Sequence, residues 1–315
     1  MKMMLKVIQI SLLMLPSLAN AQFTYTTNGD NTITITGYTG PGGLVNIPTA
    51  IDGFSVTGIG ADAFSGSSLS SFAISSSIVI PKSVTSIGDD AFIDCYGLES
   101  VTIGDGVTNI GYEPFLGCNG LENVVIGNSV TSIGNYEFSS LQSLTNVEIG
   151  TNVSSIGSWA FATCWSLENI TIPSSVTNIA DYAFYTTASS SKLNGIFFQG
   201  NAPSIGAYTF YGEDNATAYF LPGTTNWSSN FGGLPTLLWN PQAQTGDGGF
   251  GALTNGFGFN ITGTPNIPIV VDAVTDLTQT MWTPLFNGVV TNGEVYFSDP
   301  QWTNYPIRFY RIRAP

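Results

Sequence analysis

Three cysteines, Cys95, Cys118 and Cys164, are the only thiols in this chain of 315 residues. A thiol can act as a nucleophile, a metal ligand or half of a disulfide, and each role needs a suitable partner. The commonest partner is missing, because the sequence contains no histidine. That excludes histidine-based triads, histidine general bases and most catalytic zinc sites. A serine or threonine nucleophile would have to take Lys82 or Lys192 as its base, and both stand in irregular stretches. Carboxylates are plentiful, but Glu99, Glu122 and Glu168 recur at equivalent places, as on a solvated face, and not as the paired carboxylates of a glycosidase. The run Gly246-Asp247-Gly248-Gly249 lacks the lysine of a phosphate loop and the alternating carboxylates of a calcium loop, and reads as plain linker. The expectation is therefore a protein that is not an enzyme, with no catalytic residue, no metal site and no cofactor.

The cysteine spacing points to architecture instead. Cys118 follows Cys95 by 23 residues, and Cys164 follows Cys118 by 46, twice that interval. The same period aligns Val84, Val107, Val130, Val153 and Val176, with an earlier unit from Val56 and a later one from Ala202. Three residues into each unit stands Ile59, Ile87, Ile110, Ile133, Ile156, Ile179 or Ile205. Eight residues in stands Phe64, Phe92, Phe115, Phe138, Phe161, Phe184 or Phe210. Self-similarity at this period signals a solenoid whose units bury their apolar side only by stacking on each other. Leu98, Leu121, Leu144 and Leu167 precede alternating runs such as Val101-Thr102-Ile103, which predict one short strand per coil with Val101 and Ile103 inward.

The pattern Val-x-x-Ile-Gly-x-x-Ala-Phe-x-x-Cys-x-x-Leu-x-x-Val-x-Ile is nearly intact at residues 84–106 and 153–175. It resembles the BspA-type leucine-rich repeats, over about residues 38–240. The resemblance implies a leucine-rich repeat solenoid of the kind found on bacterial and protist surfaces, built for binding and not for catalysis. In the repeat the cysteines share one slot, which Leu141 fills in another unit, so they read as buried thiols. A Cys95–Cys118 disulfide between adjacent coils is the alternative.

The whole chain is expected to be mainly β. Residues 1–21 read as a signal peptide, with Lys2 and Lys6 before an apolar core and Ala19-Asn20-Ala21 as the cleavage site. Residues 22–240 form the capped solenoid of 23-residue coils, with a parallel sheet, short helical turns and an N-terminal hairpin cap at residues 23–36. Residues 241–249 are a linker. Residues 250–315 form a small antiparallel β-sandwich-like domain, from alternating runs at 257–261, 267–273, 289–297 and 308–312. The localisation that follows is secreted or cell-surface, with no segment long and apolar enough to span a membrane.

Charge narrows the partners. There are 21 acidic and 7 basic residues, a formal net charge of −14, which removes the phosphate-neutralising term of nucleic-acid binding. With 43% hydrophobic and only 9% charged residues, the chain is not disordered. An extracellular protein or a neutral glycan is the expected partner, with weak calcium recruitment by the acidic surface also open. Two ladders could receive it. The first is aromatic, six residues into consecutive coils: Tyr136, Trp159, Tyr182 and Tyr208. Side-by-side rings there make a flat strip for stacking on sugars or anchoring a protein, unless they pack over the coil edge as part of the fold. The second is polar, Ser100, Asn123, Asn146 and Asn169 beside Thr102, Val125, Glu148 and Thr171, which reads as a recognition face or a merely soluble one. A recognition or adhesion protein is the leading reading. A self-assembling surface component and a neutral-carbohydrate-binding module are the alternatives.

Overall fold

The computed structural model describes residues 22–66, 76–187, 190–253, 256–279 and 281–315. The leader read at residues 1–21 lies outside the described residues.

Each coil carries two short strands where the sequence predicted one. The first holds the recurring isoleucine, as in Ser86–Ile87, Asn109–Ile110, Ser132–Ile133 and Ser155–Ile156. The second is the predicted alternating run, as in Leu98–Ile103, Asn123–Ile126, Asn146–Glu148 and Asn169–Ile172. Both ladders are parallel, each interrupted once, and through the central coils they keep register, Ser100 opposite Asn123, Asn123 opposite Asn146 and Ile133 opposite Ile156, so sequence-equivalent residues sit above one another. The segments between the two strands, expected as short helical turns, are chains of tight turns with no α-helix among the described residues. Each carries left-handed residues, such as Asp90 and Asp94 in one coil and Trp159 and Thr163 in another, which break helical continuation.

Register makes the phenylalanine column a continuous spine. Successive rings from Phe64 to Phe210 lie 4.7–5.6 Å apart and nearly parallel, and all are buried. The ends are closed. Phe23–Thr27 and Thr32–Tyr38 form the expected hairpin, whose second strand pairs in parallel with Phe54–Ile59 and whose Tyr38 packs against Phe64 at a tilt of 34°. At the other end, Asn230–Phe231 folds back on Leu234–Leu238, and Phe231 caps Phe210.

Beyond the solenoid, two antiparallel sheets form a sandwich. One contains Gln242–Ala243, Gly256–Thr262, Gly251–Leu253 and Glu294–Asp299, and the other contains Thr283–Val289, Pro268–Val274 and Phe309–Arg313. The run at 289–297 is not one strand. Asn292 and Gly293 take positive φ in a 3₁₀ turn and split it, and Thr283–Val289 was not anticipated. The core of this sandwich, Phe259, Ile261, Ile269, Val271 and Phe297, is continuous with Phe197 and Tyr219 on the outer side of the last solenoid strands. Trp239 ties the two by donating its indole N–H to the Pro268 carbonyl at 2.8 Å. Gly195–Phe198 is accordingly buried on both faces, unlike the half-exposed strands before it.

Candidate functional site

The aromatic ladder rests on an unusual backbone. The residue six places into every coil is left-handed, from Asp62, Asp90 and Glu113 to Tyr136, Trp159, Tyr182 and Tyr208, with φ between 49° and 60°. Aspartate tolerates that conformation, whereas a bulky side chain there costs roughly 1–2 kcal/mol. Four consecutive coils nonetheless use aromatics. Strain of this kind clusters at functional sites.

The rings are arranged differently from a flat strip. Tyr136 and Trp159 stack at 6.0 Å and 6°, Trp159 and Tyr182 at 4.6 Å and 12°, and Tyr182 and Tyr208 at 5.3 Å and 17°. They stand like plates in a rack, each covering its neighbour's face. A second row, Tyr185 and Tyr211, stacks at 5.5 Å and meets Tyr182 and Tyr208 edge-on. What the comb offers a ligand is ring edges and the end ring Tyr208, which is 59% exposed. Sugar stacking needs a free face, and the inner rings have none to give. Tyr208 and Tyr211 open onto a pocket of about 690 Å³ that Glu213 also lines.

The polar ladder is aligned as its register requires. Asn146 is exposed and stands opposite the half-buried Asn123, while the half-buried Asn169 belongs to the next sheet, since the second-strand ladder is interrupted between Asn146–Glu148 and Asn169–Ile172. Thr102, Val125 and Thr171 are half-buried on the same outward side, and Glu148 is exposed. Lys82 and Lys192 are both exposed. Among the described residues no group of three or more Cys, Asp and Glu side chains could hold a metal ion, and no helix is long and apolar enough to cross a membrane.

The cysteine slot is interior. Cys95, Cys118 and Cys164 are free and buried, and each thiol donates to a phenylalanine carbonyl of the preceding coil, at 3.5 Å to Phe64, 3.1 Å to Phe92 and 3.2 Å to Phe138. Burial pushes the Cys164 thiol up to about 12 and holds Cys118 well above its ordinary value. A thiol reagent at pH 8 is therefore expected to label none of the three in the native protein and all three after denaturation. Rapid native labelling of even one would contradict this burial.

Two carboxylates of the solenoid, Glu137 and Glu213, are buried, which the sequence reading did not anticipate. Glu213 occupies the cysteine slot of its coil, where burial pushes its carboxyl up to about 7 against the pull of the Ser191 hydroxyl at 2.7 Å. Glu137 occupies the slot that holds Ala63, Ala91, Ala160 and Ala183 in other coils, and is only 2% exposed. Its Oε2 accepts the Gly134 amide, while its Oε1 has no partner, and burial pushes the carboxyl up to about 7. In other coils that glycine amide bonds the preceding coil's isoleucine carbonyl, as Gly111 does to Ile87 and Gly157 to Ile133. Glu137 captures it instead, and the first-strand ladder breaks between Asn109–Ile110 and Ser132–Ile133. A glutamate in an alanine slot was the available signal.

Comparison with known proteins agrees with the geometry. A family model described as the BspA type leucine rich repeat region matches residues 57–190 in six copies. The chain is similar to the T. pallidum leucine rich repeat protein of known crystal structure, at 31% identity and a TM-score of 0.53, over 62% of this chain and 88% of that one. It is also similar to a leucine rich cell surface protein from Faecalibacterium prausnitzii A2-165, at 31% identity and a TM-score of 0.51. That match covers 63% of this chain and about half, 53%, of the other. No curated protein matches it.

Proposed function

We propose, from the premise that this chain belongs to the BspA-type leucine-rich repeat family, that it is a non-enzymatic recognition protein whose aromatic comb anchors an extracellular protein partner. The observation that carries this reading is the replacement of Asp62, Asp90 and Glu113 by four aromatics at one left-handed position. Tyrosine and tryptophan dominate the energetics of protein interfaces. Their edges, with the second row of Tyr185 and Tyr211 beside them, make a ridged surface that suits a protein better than a sugar ring. Rigidity helps, since a stacked comb loses little side-chain freedom on binding. The net charge of −14 favours neutral or basic partners and repels nucleic acid and acidic polymers. The polar ladder of Asn123, Asn146 and Asn169 supplies hydrogen-bonding groups on a different face. Secretion or display at the cell surface is the setting we infer, from the leader-like residues 1–21 and the cell-surface relative.

The test is an array carrying matrix proteins, neutral glycans and acidic glycans, probed with the purified protein. Binding to one or more proteins is expected. Binding confined to neutral glycans, or self-association in place of binding, would replace this reading with one of its rivals.

A further inference from the structure

A cleft of about 820 Å³ lies between the outer face of the later solenoid strands and the C-terminal sandwich. Asn146, Asn169 and Thr171 line one wall, and Trp282, Arg311 and Arg313 line the other. Two observations give the cleft a specific chemistry. The first is the way it meets the strand Phe309–Arg313. Arg311, Ile312 and Arg313 line it consecutively, whereas a strand presenting its face would contribute alternate residues. The cleft therefore meets the strand's edge at its C-terminal half, Arg311–Arg313, and continues along Ala314 and Pro315. Phe309–Arg313 is the last strand of its sheet and pairs only with Pro268–Val274 among the described residues. Its other edge carries backbone donors and acceptors that a further strand can take up.

The second observation is charge. Asp272 is 1% exposed, and its Oδ2 accepts Nε of Arg311 at 3.0 Å and Nε of Arg313 at 2.7 Å. Two guanidinium groups against one carboxylate leave an excess positive charge, and both arginine side chains are about two-fifths exposed, 45% and 40%. The only other basic residues from 22 onward are Lys82, Lys192 and Arg308, the last paired with Asp299 at 2.8 Å. Arg311 also lies 4.5 Å over the Trp282 ring, which orients it. Glu148 stands on the opposite wall, so the positive charge is confined to the strand edge.

We propose that this cleft binds an extended peptide segment as an added strand on Phe309–Arg313, with an acidic side chain of the peptide received by Arg311 and Arg313. Strand addition draws affinity from main-chain hydrogen bonds and specificity from side-chain pockets. Guanidinium forks suit a carboxylate. A glycan could meet the arginines but has no backbone to match the edge. The site is independent of the aromatic comb and does not rest on it.

The test is selection of a randomised twelve-residue peptide library on the full chain, followed by synthesis of the enriched peptide. Expected are peptides rich in β-branched residues around an aspartate or glutamate. Changing that acid to lysine should weaken binding about tenfold or more, as should Arg313→Gln in the protein, where Arg311 still covers Asp272. A proline in the middle of the peptide should abolish binding, and amide exchange at 309–313 should slow in the complex. The comb variant Tyr136→Asn/Trp159→Asn should bind the peptide as the parent does, so failure here is distinct from failure at the comb. Enrichment of nothing, indifference to the proline, unchanged exchange at 309–313, or binding of an oligogalacturonate with no peptide enriched would each overturn the proposal.

Discussion

The Glu137→Ala variant is expected to melt later than the parent at pH 8 and to lose most of that advantage by pH 5. Glu137 sits where four other coils hold alanine, with one carboxylate oxygen unpartnered in the interior. Its carboxyl is raised from 4.5 to about 7. Between those values the folded state keeps a proton that the unfolded chain has released. Stability therefore falls as pH rises through this window, and the full penalty stands above about pH 7. At 1.36 kcal/mol per pKa unit the penalty is about 3 kcal/mol, an order-of-magnitude figure. Alanine removes it and frees the Gly134 amide to bond the Ile110 carbonyl, as its counterparts do in neighbouring coils. Some gain is lost with the glutamate's methylene contacts, leaving a net increase of about 2 kcal/mol at pH 8. Glu137→Gln should recover less, because it removes the charge but still fills the seam. Melting curves of the three proteins at pH 5 and pH 8 check this. An alanine variant less stable than the parent at pH 8 would show that the glutamate holds the coils together.

Phe138→Ala is expected to act in the opposite direction and more strongly. Phe138 is fully buried, with Phe115 and Phe161 each 5.5 Å away on either face. Truncating a buried phenylalanine costs about 3–5 kcal/mol, and the cavity cannot fully close while this coil is tied to the preceding one through its second strand and to the following one through its first. A solenoid passes stability only between neighbours, so the loss should separate the coils before Phe138 from those after it. Denaturant unfolding should then show two transitions where the parent shows one. A single transition shifted by less than about 1 kcal/mol would mean that the spine contributes little beyond filling space.

The 23-residue period made the phenylalanine column legible, because parallel stacking at fixed register forces equal positions into vertical contact. The cysteine slot was legible for the same reason, with Leu141 marking it as apolar. The aromatic ladder was located but its presentation was misread. Side-by-side rings and face-covering rings share one spacing, and only the ring planes seen in the structure distinguish them. The first strand of each coil is two residues long, too short for any periodicity to show. The docking of the sandwich did leave a trace. Phe197, Tyr219 and Leu237 occupy outward positions where Thr102 and Thr171 stand elsewhere, but its meaning needed the partner surface in view.

Whether the comb is a partner surface or part of the fold is decided by measuring stability and binding together in Tyr136→Asn/Trp159→Asn. Asparagine relieves the left-handed strain, roughly 1–2 kcal/mol per site, while losing stacking worth about 0.5–1.5 kcal/mol per pair. These effects nearly cancel, so the melting temperature should stay within a few degrees of the parent, while binding to the array's protein partner should fall at least about tenfold. A variant that melts far earlier, or one that is equally stable and still binds, would contradict the account.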